Sequence, residues 1–530
     1  MVRARSLKVS CVAAGVALLA GCSASSDGAT TGDEDDLTSL TARQRTLTFE
    51  GVVYVDPKAS ETTILQAARA QTQTAFGALL ASNVAVRTRE VQNIDRSSLV
   101  KRDVLVVDPN VASDPGTPMI EVRYAYGDEA VIPVALSRHT SLSLALLAQG
   151  AEHDTKTVIP DCTKNDKEAR DDAAMGLLWY DFDPSRASCR RAIDREQKTI
   201  DQDTSKLADK KKMVARSRAT RLYLPTAFRL LRADTATRAT YPEYDKLFGG
   251  GVDPDALTVG LVVGRLAHEH VEAVKDDGYF EWHDTLGVIF EAHPDFVLTK
   301  TEPAEDLSTV TVSGKKISGL AFKSFVEWTV FGTGFPDGLN AAEKKEITQK
   351  IANKLDGHWV TFEKKVKVAI GARPARDFTI RLNTFFGADE DPEPHRHAVK
   401  SNDVVIYNGH SYIGQGPLDP DNFRPTSFAP GYQLFFFDSC VSYNYYEKDF
   451  FTLKPGGSKV LDIITNGIEA PEAESGAAEG RLIAKLIDGS LPSYQTLLEA
   501  AKATDSLRVV DGEIDNKYHP TKVSVRVTKP

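Results

Sequence analysis

Val404-Val405-Ile406-Tyr407, which runs into Asn408-Gly409-His410-Ser411, and Leu434-Phe435-Phe436-Phe437, which runs into Asp438-Ser439-Cys440, decide how this chain folds. Both apolar blocks are continuous where a half-exposed strand would alternate. Continuous blocks of this length are strands buried on both faces, the signature of a largely parallel sheet covered by helices. In such open α/β sheets ligands and chemistry gather beyond the carboxyl ends of the strands. Each block delivers a reactive side chain to that place, His410 from one and Cys440 from the other. If the two strands are neighbours, the imidazole and the thiol face one cleft.

Working outward, residues 378–386 and 459–464 read as two further strands of the same sheet. Residues 477–487 carry Leu482, Ile483, Leu486 and Ile487 on one side of a helix, and a second helix at 494–503 starts behind Ser493, a natural N-cap. Residues 376–530 are therefore expected to form one α/β domain. The stretch 411–431 holds prolines at 417, 420, 425 and 430 and no helix pattern. A long irregular insertion at a strand end is a candidate substrate-binding loop.

Over 378–470 the chain resembles the caspase-like cysteine peptidases, the group of caspases, legumains, gingipains, clostripain and separases. Their common pattern is an apolar block ending in His-Gly and a second block ending in a small residue plus Cys. The resemblance implies a caspase-like sheet, with His410 as catalytic histidine and Cys440 as nucleophile. Asp438 stands where relatives often carry Gln or Glu. Ser411 replaces the usual glycine after the histidine, and Val441-Ser442-Tyr443 follows the cysteine without the glycine common there.

The chemistry implied is acyl transfer through sulfur. A turn from strand into helix at Cys440 favours the thiolate, His410 moves the proton, and backbone N–H groups at Cys440 and near Gly409 hold the oxyanion. Asp438 or Asp403 would position the pair. No metal and no cofactor is required, and the substrate is a protein or peptide. A different class of function stays open beside this one: a non-catalytic surface binding or structural lipoprotein that keeps a degenerate caspase-like domain.

The N-terminus speaks to location. Arg3, Arg5 and Lys8 precede an apolar stretch from 9 to 20, the order of an export signal. Leu19-Ala20-Gly21-Cys22 resembles the lipobox of bacterial lipoproteins, which implies cleavage after 21 and acylation of Cys22. Residues 1–21 are thus read as a lipoprotein signal peptide. Residues 22–46, poor in large apolar side chains, read as a flexible tether. The expected partner is a membrane, met through lipid on the extracytoplasmic side of a bacterial envelope, the outer membrane in a Gram-negative cell. The net charge of −10, without a polybasic tail, argues against nucleic acid as a partner.

Of the five cysteines, Cys11 leaves with the signal and Cys22 takes lipid. Cys162 and Cys189 are placed to form a disulfide in an exported protein. Cys440 is then the odd cysteine of the mature chain, which calls for burial or chemistry.

Between tether and C-terminal domain, 47–150 reads as a small α+β domain, 151–221 as a loop-rich stapled segment and a charged helix, and 222–375 as a middle α+β domain. The middle domain includes a buried strand at 257–263 and a helix at about 265–275. His268-Glu269-His270 misses the His-Glu-x-x-His spacing of a zinc helix, and together with Glu272 and His283 these read as polar residues at the surface. The run from Asp389 to His397 reads as a solvated acidic loop, and Gly249-Gly250-Gly251 as a turn.

Overall fold

A computed structural model describes residues 37–530 apart from 165, 234–238, 268–270, 321–333, 389–390, 472–473 and 503–505. The signal peptide, Cys22 and His268-Glu269-His270 lie outside the described residues, as do the first two acidic residues of the 389–397 run.

The strands, in chain order, are β1 (Thr38–Ser39), β2 (Ala42–Val55), β3 (Ala85–Val86), β4 (Ile94–Val107), β5 (Thr117–Pro133), β6 (Ser141–Leu147), β7 (Met213–Ala215), β8 (Tyr223–Ala233), β9 (Ala256–Gly264) and β10 (Val297–Glu302). They continue with β11 (Thr309–Val312), β12 (Lys315–Ser318), β13 (Trp359–Ile370), β14 (Arg376–Ala388), β15 (Val404–Asn408), β16 (Gln433–Asp438), β17 (Leu461–Asn466), β18 (Arg508–Asp511) and β19 (Val525–Thr528).

Among the described residues the larger sheet has the order β1-β18-β17-β16-β15-β9-β14-β13-β10, with β19 beside β13. Its middle, β17, β16, β15, β9 and β14, is parallel throughout. The flanks β18 and β13 are antiparallel to their neighbours. Every residue of β15, β16, β17 and β9 is buried, as unbroken apolar strands require. The two faces have different covers. Val404, Ile406, Leu434 and Phe436 pack with Trp282, Leu286, Ile347, Leu482 and Ile483 of three helices. Val405, Tyr407, Phe435 and Phe437 pack instead with Val399 and Phe450, and with Phe49, Phe76 and Phe228 of the N-terminal half.

A second sheet, β6-β8-β2-β5-β4-β7 with β3 on β5, is made by the N-terminal half. The architecture is α/β with more than one sheet.

Several sequence-based boundaries move. The tether expected over 22–46 ends earlier, because Thr38 and Ser39 pair with Val510 and Val509 at the edge of the large sheet and β2 begins at Ala42. The strand β8, assigned from sequence to a middle domain, closes the N-terminal sheet between β6 and β2. The buried strand at 257–263 is real, but β9 sits between β15 and β14, so 222–375 and 376–530 share one sheet. The helix expected at about 265–275 is, in its described part, a single turn at Ala273–Lys275. The helix proper is Asp277–Ala292, capped by Asp276, whose side chain accepts from Gly278 N. His283 lies on that helix and is buried, not a surface residue.

Candidate functional site

Asn408 and Asp438 are directly paired across the parallel strands β15 and β16. His410 and Cys440 each follow that pair by two residues, so neighbouring strands release them at the same level of the carboxyl edge. Both are half-buried. Three of the ten non-glycine residues with positive φ among the described residues lie here. After His410 the chain passes through Tyr412 and Ile413 at φ 49° and 54°, and after Cys440 through Val441 at φ 52°. A β-branched or aromatic residue in the left-handed region costs on the order of 1–3 kcal/mol, and such residues persist at sites whose geometry the surroundings impose.

The histidine is held from several directions. Tyr407 Oη donates to the His410 carbonyl at 2.7 Å. The Tyr407 ring runs so close beneath Gly409 that a Cβ there would lie 2.6 Å from the hydroxyl, which explains glycine at this position. On the ring, Nε2 lies 3.1 Å from the Leu266 carbonyl. A carbonyl only accepts, so Nε2 carries the proton and Nδ1 is the basic nitrogen of the neutral imidazole. Leu266 is itself fixed, because Asp276 accepts from Leu266 N at 2.9 Å and from Ala267 N at 3.3 Å. Asp276 is thus both a helix cap and the clamp on the segment that orients His410.

The cysteine turn is braced from below. Ser442 Oγ donates to Phe437 O at 2.7 Å and accepts from Asn466 N at 2.9 Å, tying the turn after Cys440 to the ends of β16 and β17. The chain then enters a π-helical turn, Tyr443–Glu447, and a helix, Lys448–Leu453. A strand, a strained turn and a helix start therefore follow one another at the thiol, as the sequence pattern predicts.

The two aspartates expected to position the pair do other things. Asp403 sits at the opposite end of β15, where it accepts from Val252 N, Thr258 N and Thr258 Oγ1. A five-residue strand, roughly 16 Å long, separates it from the carboxyl edge. Asp438 is fully buried and turned inward, with Oδ1 held by Arg508 at 2.9 Å and by Asn466 Nδ2 at 2.6 Å. Its Oδ2, Ser439 Oγ and Thr465 Oγ1 have no hydrogen-bond partner among the described residues. These atoms form a polar floor below the strand ends.

Two more carboxyls, which the sequence did not single out, join this floor from two helices. Gly476 and Gly480 let the helix Ser475–Leu486 approach Asp277–Ala292, since a Cβ at either would meet the Glu281 or Thr285 carbonyl at 2.2 or 2.8 Å. The approach brings Glu281 to the backbone N–H of Gly476. Burial pushes the Glu281 carboxyl up to about 7. Glu479 is driven well above the carboxylate range by burial and by the nearby charges of Asp438 and Glu281. Among the described residues no group of three or more His, Cys, Asp or Glu side chains is arranged to hold a metal ion.

Cys162 and Cys189 form the expected disulfide, joining the helices Val158–Thr163 and Ala187–Ser205. No family model matches the chain, and no curated protein and no solved structure matches it.

Proposed function

We propose that this protein is a lipid-anchored envelope cysteine endopeptidase whose reacting pair is Cys440 and His410, built on a caspase-like version of the α/β sheet. The observation that carries the reading is the Asn408–Asp438 pairing, which brings a thiol and an imidazole from adjacent parallel strands to one level of the carboxyl edge. The hydrogen bond from His410 Nε2 to Leu266 O supports it, because it fixes the orientation of the ring that would move the proton.

In this reading the Cys440 thiol gives its proton to His410 and its sulfur attacks the peptide carbonyl carbon; the S–C bond forms, and the oxyanion is received by backbone N–H groups at Cys440 and near Gly409. His410 passes that proton to the leaving amine as the oxyanion collapses and the C–N bond breaks. Water, deprotonated by His410, attacks the thioester, and the C–S bond breaks to give the acid and the Cys440 sulfur, which takes the proton back from His410. Asp438 and Arg508 hold the end of β16 from inside and do not take the proton.

The test is turnover. Purified protein from which the signal has been removed is incubated with an unstructured protein and a peptide library, and the products are read by mass spectrometry. Cleavage that is lost in Cys440→Ala and in His410→Ala supports the proposal. Cleavage that survives both substitutions overturns the assignment of the pair, and none at all in protein with Cys440 reduced leaves the binding lipoprotein as the better reading.

A further inference from the structure

The disulfide-closed segment between Cys162 and Cys189 contains a single helical turn, Leu178–Asp181, whose side chains divide between two surroundings. Leu178 and the following Phe182 are fully buried in the apolar cluster that encloses Cys162 and Cys189. Trp179 and Tyr180 face the other way. They pack, half-buried, against the same cluster as Cys440 and Ile413, the residues that flank the candidate site on its two strand ends. One side of the turn is thus bolted to the disulfide and the other lies on the apolar cluster that Cys440 also borders.

The contact is made through aromatic rings. Phe76 stacks on Tyr180 at 5.3 Å, meets the edge of Trp179 at 5.5 Å, and stacks on Tyr445 at 6.0 Å. Tyr445 belongs to the π-helical turn directly after Cys440, so the ring series ends on the element that carries the thiol. Burial, with smaller contributions from Glu469 and Cys440, raises the Tyr180 hydroxyl far above its usual range. The seat of the turn on the N-terminal half is close. A Cβ on Gly77 would lie 2.5 Å from Tyr180 O and 2.6 Å from Phe182 N, so only glycine lets the turn reach this depth.

We infer that the segment between Cys162 and Cys189 is a built-in cover of the site, with Trp179 and Tyr180 closing over Cys440 and the disulfide and Gly77 setting how deeply they sit. Its significance rests on the reading of Cys440 as a nucleophile, but the cover itself is a statement about access. In the closed state a peptide does not reach the sulfur, and activity requires the Trp179 and Tyr180 side chains to swing off Phe76 and Tyr445. Leu178, Phe182 and the seat on Gly77 stay in place, so this opening leaves both sheets intact.

The experiment is the rate at which a biotin-maleimide modifies Cys440, mapped to that residue by mass spectrometry, at fixed pH. Trp179→Ala/Tyr180→Ala is expected to raise the rate about tenfold, while Trp179→Phe/Tyr180→Phe stays at the wild-type rate. A rise of less than about threefold in the alanine pair overturns the cover; any larger rise supports it. Should the pair lose its cooperative melt, Tyr180→Ala alone is judged by the same threshold. Each rate is repeated in a His410→Ala background. If labelling ignores His410 while the alanine ratio holds, the dyad fails and the cover stands; a ratio near one with His410 dependence retained has the opposite meaning.

Discussion

Arg508 holds Asp438 at 2.9 Å beneath the strand end that carries Cys440, and both side chains are withdrawn from solvent. A carboxylate in such a place is tolerable only with its counter-ion. Arg508→Met is expected to cost about 3–5 kcal/mol, read from urea unfolding, because it strands a buried charge. Adding Asp438→Asn is expected to recover a large part of that loss. If the double variant is no more stable than the single one, the charge pair is not what the site is built on.

Gly409 is required by a neighbour, since the Tyr407 ring and hydroxyl occupy the volume a Cβ needs. Gly409→Ala is expected to destabilise the protein by about 1–3 kcal/mol through overpacking. Tyr407→Leu in the same chain should relieve part of it. Thermal melts of the four proteins in this double-mutant cycle give the coupling, and additive effects would contradict the contact.

Buried acids make stability fall as the pH rises. Glu281 and Asp462 are pushed up to about 7, and Glu479 and Glu513 are also raised well above their usual value. Between the unfolded carboxyl value, about 4.3, and the folded one, the native state binds more protons than the unfolded state. Stability from these groups is full below the unfolded value and is lost progressively up to and beyond pH 7. The melting temperature is therefore expected to be higher at pH 5 than at pH 8. Glu281→Gln, which keeps an acceptor for Gly476 N–H, should flatten the profile by about 1–3 kcal/mol.

The Cys162–Cys189 bridge closes the segment that carries Trp179 and Tyr180. Cys162→Ala/Cys189→Ala is expected to lower unfolding free energy by about 2–4 kcal/mol. An unchanged midpoint in urea would mean that the helices hold the segment without it.

The strands that bear the site were legible because their apolar blocks are continuous and each ends in a chemically active residue. The grouping of strands was not. β9 is as apolar as β15, yet its neighbours β14 and β15 begin more than a hundred residues later, and nothing local to 256–264 names them. Asp277–Ala292 escaped notice for a related reason. Ten of its sixteen residues are buried, so only a narrow stripe of Asp277, Asp284 and Glu291 marks its period, and Gly278 and Gly287 interrupt it. Glu281 and Glu479 look like ordinary helix-surface acids in sequence. Only the close approach allowed by Gly476 and Gly480 turns them inward together.

The most direct measurement is the pH dependence of Cys440 alkylation by iodoacetamide in the wild type and in His410→Ala. An imidazole that shares the thiol's proton keeps Cys440 reactive well below the ordinary thiol value of about 8.5, and its removal should slow the reaction at pH 6.5 by about tenfold and return the profile to that value. Superimposable profiles in the two proteins would contradict the pairing of His410 with Cys440.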